Sequence, residues 1–171
     1  MKPLISLRDE DIFPKDYIHK LGNDWQPGER IAVRCIVLDD QDNIALCGTK
    51  YKLLPGGGVD EDESLEQAVI RECLEEIGCN VEIIKTIGIT EEYRDVIKRH
   101  QITHCFVARL VGEKGTPQTT QDDEQDMKVY WHSIDEALEI FDREITSIPF
   151  ESYNSCFNVR VQYEFLKNFQ I

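Results

Sequence analysis

The segment from Ser64 to Gly78 constrains the fold of this chain more than any other. Ser64-Leu65-Glu66-Gln67 has the spacing of a capping box, good helix formers follow, and Gly78 is a natural C-cap, which predicts a helix over Leu65 to Ile77. At about 100° per residue, Ile70, Cys73, Leu74 and Ile77 fall on one apolar arc, while Glu72, Glu75 and Glu76 gather on another. The second arc works against the helix. Glu72 forms like-charge pairs with Glu76 at i,i+4 and with Glu75 at i,i+3, each costing roughly 0.2–0.5 kcal/mol. Glu75 and Glu76 also occupy the last turn, where the carbonyl ends favour cations. Arg71 can offset one acid by pairing with Glu75; the remainder ask for positive charge from outside the chain.

Oxygen-only ligands with no histidine nearby select a hard cation, so Mg²⁺, with Mn²⁺ as substitute, is the expected partner. The alternative is a solvated acidic face. Directly before the helix, Leu54-Pro55-Gly56-Gly57-Gly58-Val59 reads as a strand end entering a glycine-rich loop. Such bare backbone can approach phosphate oxygens or turn a carbonyl toward a metal.

Loop and helix together spell Gly57, five residues, Glu63, seven residues, then Arg71-Glu72-Cys73-Leu74-Glu75-Glu76-Ile77-Gly78-Cys79. This resembles the Nudix box of the MutT-like nucleotide hydrolases. The likeness extends from about Ile31 to Leu138 and includes Tyr130-Trp131-His132-Ser133-Ile134-Asp135-Glu136. Cys73 and Cys79 replace the usual aliphatic residues and Asp62 stands where glycine is common, but no ligand position is lost.

The resemblance implies an α/β fold, a Nudix-like α/β/α sandwich with a mixed β-sheet, in one domain over residues 1–171. Residues 1–29 are then an N-terminal extension, 56–79 the box and 153–169 a C-terminal helix. It further implies that Glu72, Glu75, Glu76 and the Gly56 carbonyl hold the metal, and that Glu63 and Arg71 form a supporting ion pair. The implied activity is hydrolysis of a phosphoanhydride in a nucleoside diphosphate linked to another group. Glu75 is favoured as general base and Glu72 is placed with it in the catalytic set. Glu124, in the acidic stretch before the Trp131 strand, is the candidate from outside the box, and Glu92 a weaker substitute. Arg34, inside an apolar strand, and Lys52, just before Pro55, are the candidate substrate contacts; Tyr93 with Arg94 offers a stacking surface.

No proline stands at the offset associated with ADP-ribose hydrolases, and only Tyr93 hints at a dinucleoside polyphosphate enzyme. A nucleoside triphosphate pyrophosphohydrolase is therefore the default, with ADP-ribose or dinucleoside polyphosphate hydrolysis as alternatives. A non-catalytic nucleotide-sensing module is the alternative of another class, although it has no need of intact glutamates.

The rest of the chain agrees with a compact α/β domain. Strands are expected over Ile31 to Leu38 and Ile44 to Cys47, joined by the turn residues 39–43 as a hairpin, and over Val81 to Ile87, Gln101 to Leu110 and Met127 to Trp131. Helices are expected from Asp135 to Phe141 and near the C-terminus, whereas the first thirty residues show apolar anchors such as Ile12, Phe13 and Trp25 without a firm period. Nineteen basic against 33 acidic residues give a net charge of −14, which disfavours a nucleic-acid duplex or an anionic membrane as partner. Half of that charge lies between Asp60 and Glu76. The six cysteines form no Cys-x-x-Cys pair and suit reduced core thiols, and the charged N-terminus suits neither a signal peptide nor a membrane span. A cytoplasmic chain acting on a small nucleotide follows as the expectation, with a homodimer left open.

Overall fold

The computed structural model describes residues 2–18, 28–118 and 126–169. Its scaffold is a six-stranded mixed sheet built from β1 (Ser6–Arg8), β2 (Gly28–Leu38), β3 (Ile44–Gly48), β4 (Asn80–Arg94), β5 (Arg99–Val111) and β6 (Lys128–His132), in the order β1-β4-β5-β2-β3-β6. β2 lies parallel to β5 and β1 parallel to β4; the remaining neighbours are antiparallel. Helices cover both faces: α3 (Leu65–Ile77) on one, α4 (Ile134–Ser147) and α5 (Tyr153–Asn168) on the other, with two short helices, α1 (Asp9–Ile12) and α2 (Lys15–Ile18), near the N-terminus. This is the α/β/α sandwich that the sequence suggested. Among the described residues no helix is long and apolar enough to cross a membrane.

Side-chain alternation along β2 splits the core in two. Val33, Cys35 and Val37 point toward α3 and join Cys73, Ile77 and Phe106; Ile36 and Leu38 point the other way and join Phe141, Phe157 and Phe165 of α4 and α5. All six cysteines are free and buried. The N-terminal segment is part of this architecture. β1 adds an edge strand to the sheet, Phe13 stacks on Tyr153 at 5.2 Å, and the buried Asp9 accepts hydrogen bonds from the Val96 amide and the Tyr153 hydroxyl. Burial raises the pKa of Asp9 despite those two donors.

Helix α3 has the expected bounds. Ser64 accepts from the Gln67 amide, Gln67 returns the bond to the Ser64 amide, and Gly78 closes the helix at φ 66° with a Schellman pair of bonds to the Cys73 and Leu74 carbonyls. Its orientation differs from the expected wheel. The buried arc is Ala68, Val69, Glu72, Cys73 and Ile77, whereas Ile70 is 45% exposed. Val69, Cys73 and Ile77, spaced i,i+4,i+8, supply the stripe that meets the sheet, and this rotation carries Glu72 and Glu76 off the solvent face. Helix α4 runs six residues beyond the expected Phe141, to Ser147, because Ile145 continues its apolar face until Pro149.

Candidate active site

The glycine loop acquires its position by pairing with β2. The Val33 and Cys35 amides donate to the Gly57 and Pro55 carbonyls, and the Val59 amide donates to the Ile31 carbonyl, so residues 55–59 run antiparallel beside β2. On the other side the Leu54 amide donates to Gln162 of α5 at 2.7 Å. Contact with β2 is close enough to demand glycine: at Gly56 (φ 142°) a Cβ would stand 2.2 Å from the Val33 carbonyl oxygen, and at Gly57 it would stand 2.3 Å from Glu72 Oε1.

Under this loop lie the glutamates of α3. The Gly56 amide donates to Glu76 Oε2 at 2.7 Å, and the Cys47 thiol approaches the same oxygen at 3.6 Å. Burial and the nearby Glu76 both hold the Cys47 pKa well above its ordinary value, so this thiol is a proton donor and not a nucleophile. Arg71 organises the other acids. It donates to both oxygens of Glu63, at 3.1 and 2.6 Å, to Glu72 at 2.8 Å, to Glu75 at 3.2 Å and to the Gly58 carbonyl at 3.0 Å. The Glu63 bond lowers the pKa of that carboxyl and raises that of Arg71. Glu72 is different: burial raises its pKa although Arg71 and Arg34 pull the other way.

Among the described residues no three histidine, cysteine or acidic side chains converge as a ready-made metal site. The reason is visible in the pairing, since Arg71 draws Glu72 and Glu75 to one side while the Gly56 amide draws Glu76 to the other. As donors, these carboxylates fit a hard divalent cation: they are all oxygen, and Glu72 lacks enough positive charge to offset its burial.

Glu72 and Glu76 share a cleft of about 300 Å³ with Gly56, Gly57 and Gly58. Its other wall is cationic. Arg30 and Arg34 of β2, Arg94 of β4 and Arg99 of β5 line it, joined by Asn154 and Asn158 of α5. Four guanidiniums thus meet in a chain of net charge −14. The wall is braced from beneath: Arg94 Nε donates to the fully buried Glu92 at 2.9 Å, Gln101 Nε2 donates to the same carboxylate at 3.1 Å, and Arg30 donates to Gln101 Oε1 at 3.1 Å.

Of the residues singled out in the sequence, Glu72, Glu76, Gly56, Arg34 and Arg94 border this cleft, with Arg34 donating to the Leu54 carbonyl at 3.4 Å. Glu75 sits beside it on Arg71, and its carbonyl receives the Gln118 amide at 2.7 Å. Lys52 is not brought there; its ammonium lies over the Tyr130 ring at 4.1 Å and 3.3 Å from His132 Nε2. Glu92 is locked behind Arg94, and Tyr93 stacks on His100 at 4.6 Å with Arg8 over its ring. Glu124 lies outside the described residues. Sequence reading missed Arg30, Asn154 and Asn158, for which the available signal was the i,i+4 repeat of arginine along β2 and of asparagine along α5, and Arg99, for which there was none.

Comparison with known proteins bears on the family and the fold. The NUDIX domain profile matches residues 28–150. Nudix hydrolase 4 of Arabidopsis thaliana is 34% identical over 93 residues, a match covering 53% of this chain and 42% of that protein, so the likeness spans less than half of the relative's length. In fold, the chain is similar to a MutT protein from Methanosarcina mazei Go1, with a TM-score of 0.56 and 18% identity over 86% of this chain and all of the other. A NUDIX hydrolase from Nitrosomonas europaea gives a TM-score of 0.56 and 20% identity over 85% of this chain and 97% of the other. Profile, box residues and sandwich coincide over one stretch of sequence, and the chain belongs to the Nudix family.

Proposed function

We propose that this chain hydrolyses a phosphoanhydride bond in a nucleoside diphosphate linked to another group, with Mg²⁺ held by Glu72, Glu75, Glu76 and the Gly56 carbonyl, and acts by default as a nucleoside triphosphate pyrophosphohydrolase. The observation that carries this reading is that the buried Glu72 and the partly buried Glu76 share one cleft with the glycine loop and four arginines. A solvated acidic face has no such surroundings. A bound divalent cation supplies neutralisation of the negative charge that grows on the phosphate oxygens as water attacks.

The protein's own groups do the rest. Arg34 holds a phosphate oxygen at the cleft, the glycine loop admits the diphosphate without side chains in its way, and the Glu63–Arg71 pair fixes the helix face that presents the acids. Glu75 takes the proton from the attacking water, with Glu124 as the competing base; neighbouring carboxylates on one cation titrate as a unit. Lys52 has no part in this scheme, since its ammonium is engaged with Tyr130 and His132.

A panel of nucleotide diphosphate derivatives incubated with Mg²⁺ in isotopically labelled water, with products identified by mass, tests the proposal. Cleavage with label in one phosphate product, abolished by chelator and by Glu76→Gln, is the expected result. Nucleotide binding without turnover across the panel would replace it with a sensing module, whose ligand affinity Glu76→Gln leaves unchanged.

A further inference from the structure

The arginine wall exceeds what a bare diphosphate requires. In a nucleoside diphosphate diester each phosphorus carries one negative charge, whereas every additional terminal phosphate brings about −1.5 to −2 at neutral pH. Arg30 and Arg34 have no carboxylate within ion-pair distance among the described residues, and they stand with Arg94 and Arg99 around one cleft. Burial lowers the pKa of Arg30, and the charges of Arg99, Arg34 and Arg94 lower it further against the opposing pull of Glu92.

Two other features point the same way. Arg94 donates to the Asn154 and Asn158 Oδ1 atoms at 2.6 and 2.9 Å. An arginine can only donate, so both amide oxygens must face it and both Nδ2 groups are turned away as further donors. Asn154 stands in the first turn of the 16-residue α5 and Asn158 one turn further on, so the N-terminal turns of this helix border the cleft. None of the described residues lining the cleft carries an aromatic or branched aliphatic side chain on which a base or other apolar group would rest.

Resting on the hydrolase reading and extending it to the substrate, we infer that the wall of Arg30, Arg34, Arg94, Arg99, Asn154 and Asn158 selects a phosphoanhydride compound bearing at least one further phosphate group beyond the diphosphate, recognised by its phosphates and not by a base. A nucleoside triphosphate and a polyphosphorylated polyol share this chemistry; a diphosphate diester such as ADP-ribose lacks it.

Calorimetric titration in chelator isolates the wall from metal and turnover. Inorganic tripolyphosphate should bind about tenfold or more tightly than ADP-ribose, with an affinity that falls as salt rises. Arg30→Gln and Arg99→Gln should each remove about tenfold or more of the tripolyphosphate affinity and leave ADP-ribose within about threefold, whereas Arg30→Lys, keeping the charge, should retain part of it. Thermal melts of the variants establish that they are folded.

ATP and inositol hexakisphosphate as parallel titrants distinguish the two sources: tighter binding of one assigns the extra phosphates to a nucleotide or to a polyol. Equal or tighter binding of ADP-ribose, or folded arginine variants with unaltered tripolyphosphate affinity, would overturn the inference. Failure of the hydrolase reading looks different, since it leaves tripolyphosphate binding intact while no compound is cleaved with Mg²⁺.

Discussion

The two walls of the cleft are built on opposite plans. The arginine wall stands on strands, and its central pair, Arg94 with Glu92, is 2% and 0% exposed, with Gln101 and the α5 asparagines holding the remaining positions. The glutamate wall stands on a helix, and its organiser Arg71 is 30% exposed and divided among four acids, Asp60, Glu63, Glu72 and Glu75. One wall is finished before any ligand arrives. The other is held by an internal cation that must yield its carboxylates if a metal is to take them. Rigid cationic positioning beside exchangeable acidic ligands is what a site needs when its substrate is a polyanion and its cation is not part of the chain.

The largest predicted effect is on the finished wall. Glu92→Gln strands the Arg94 charge in the interior and should destabilise the fold by about 3–5 kcal/mol in urea unfolding, whereas Glu63→Gln, on the half-exposed Arg71, should cost about 1 kcal/mol or less. Equal costs would erase the contrast. On the exchangeable wall, Glu76→Gln should lower kcat by roughly 10²–10³-fold on whichever compound the panel identifies, with little change in the melting temperature.

Gly57→Ala places a Cβ against Glu72 and should lower kcat by roughly 10–100-fold by pushing that carboxylate off its position. Retained activity would mean that the close approach of loop and helix is immaterial.

The smallest effect carries the most telling sign. Because burial raises the folded pKa of Glu72 above its usual 4.5, its charged form opposes folding. The unfolded chain loses this proton first, so stability falls as pH rises through the window from about 4.5 to the folded pKa. Glu72→Gln should therefore stabilise the metal-free protein at pH 7, and the gain should vanish below about pH 4.5. A destabilised variant at neutral pH would show that Arg71 already satisfies this acid.

Much of this was legible in the sequence, though unevenly. The bounds of α3, its caps and the acid cluster follow from local rules, and the glycine loop announced a close backbone approach. The face that α3 buries did not follow, because Ile70 and Ile77 are equally apolar and only the spacing of β2, β3 and the 54–59 segment decides between them. The arginine wall was illegible for a deeper reason. Arg30, Arg94 and Arg99 meet through the pairing of Gly28 with Arg99 and of Arg94 with Arg99, and the β4–β5 ladder reaches that register only after irregularities between Ile83 and Lys85 and between Thr86 and Gly88. No local signal reports such a shift. The N-terminal strand β1 is equally silent, since its three residues are too few to display a period.

The central claim is that the acids Glu72 and Glu76 of α3 bind a divalent ion. It is met most directly by titrating Mn²⁺ into the wild type and the double variant Glu72→Gln/Glu76→Gln while following the free-ion paramagnetic resonance signal. The account predicts a saturable site in the wild type that weakens by about tenfold or more in the variant. Identical Mn²⁺ affinity in the two folded proteins would contradict it.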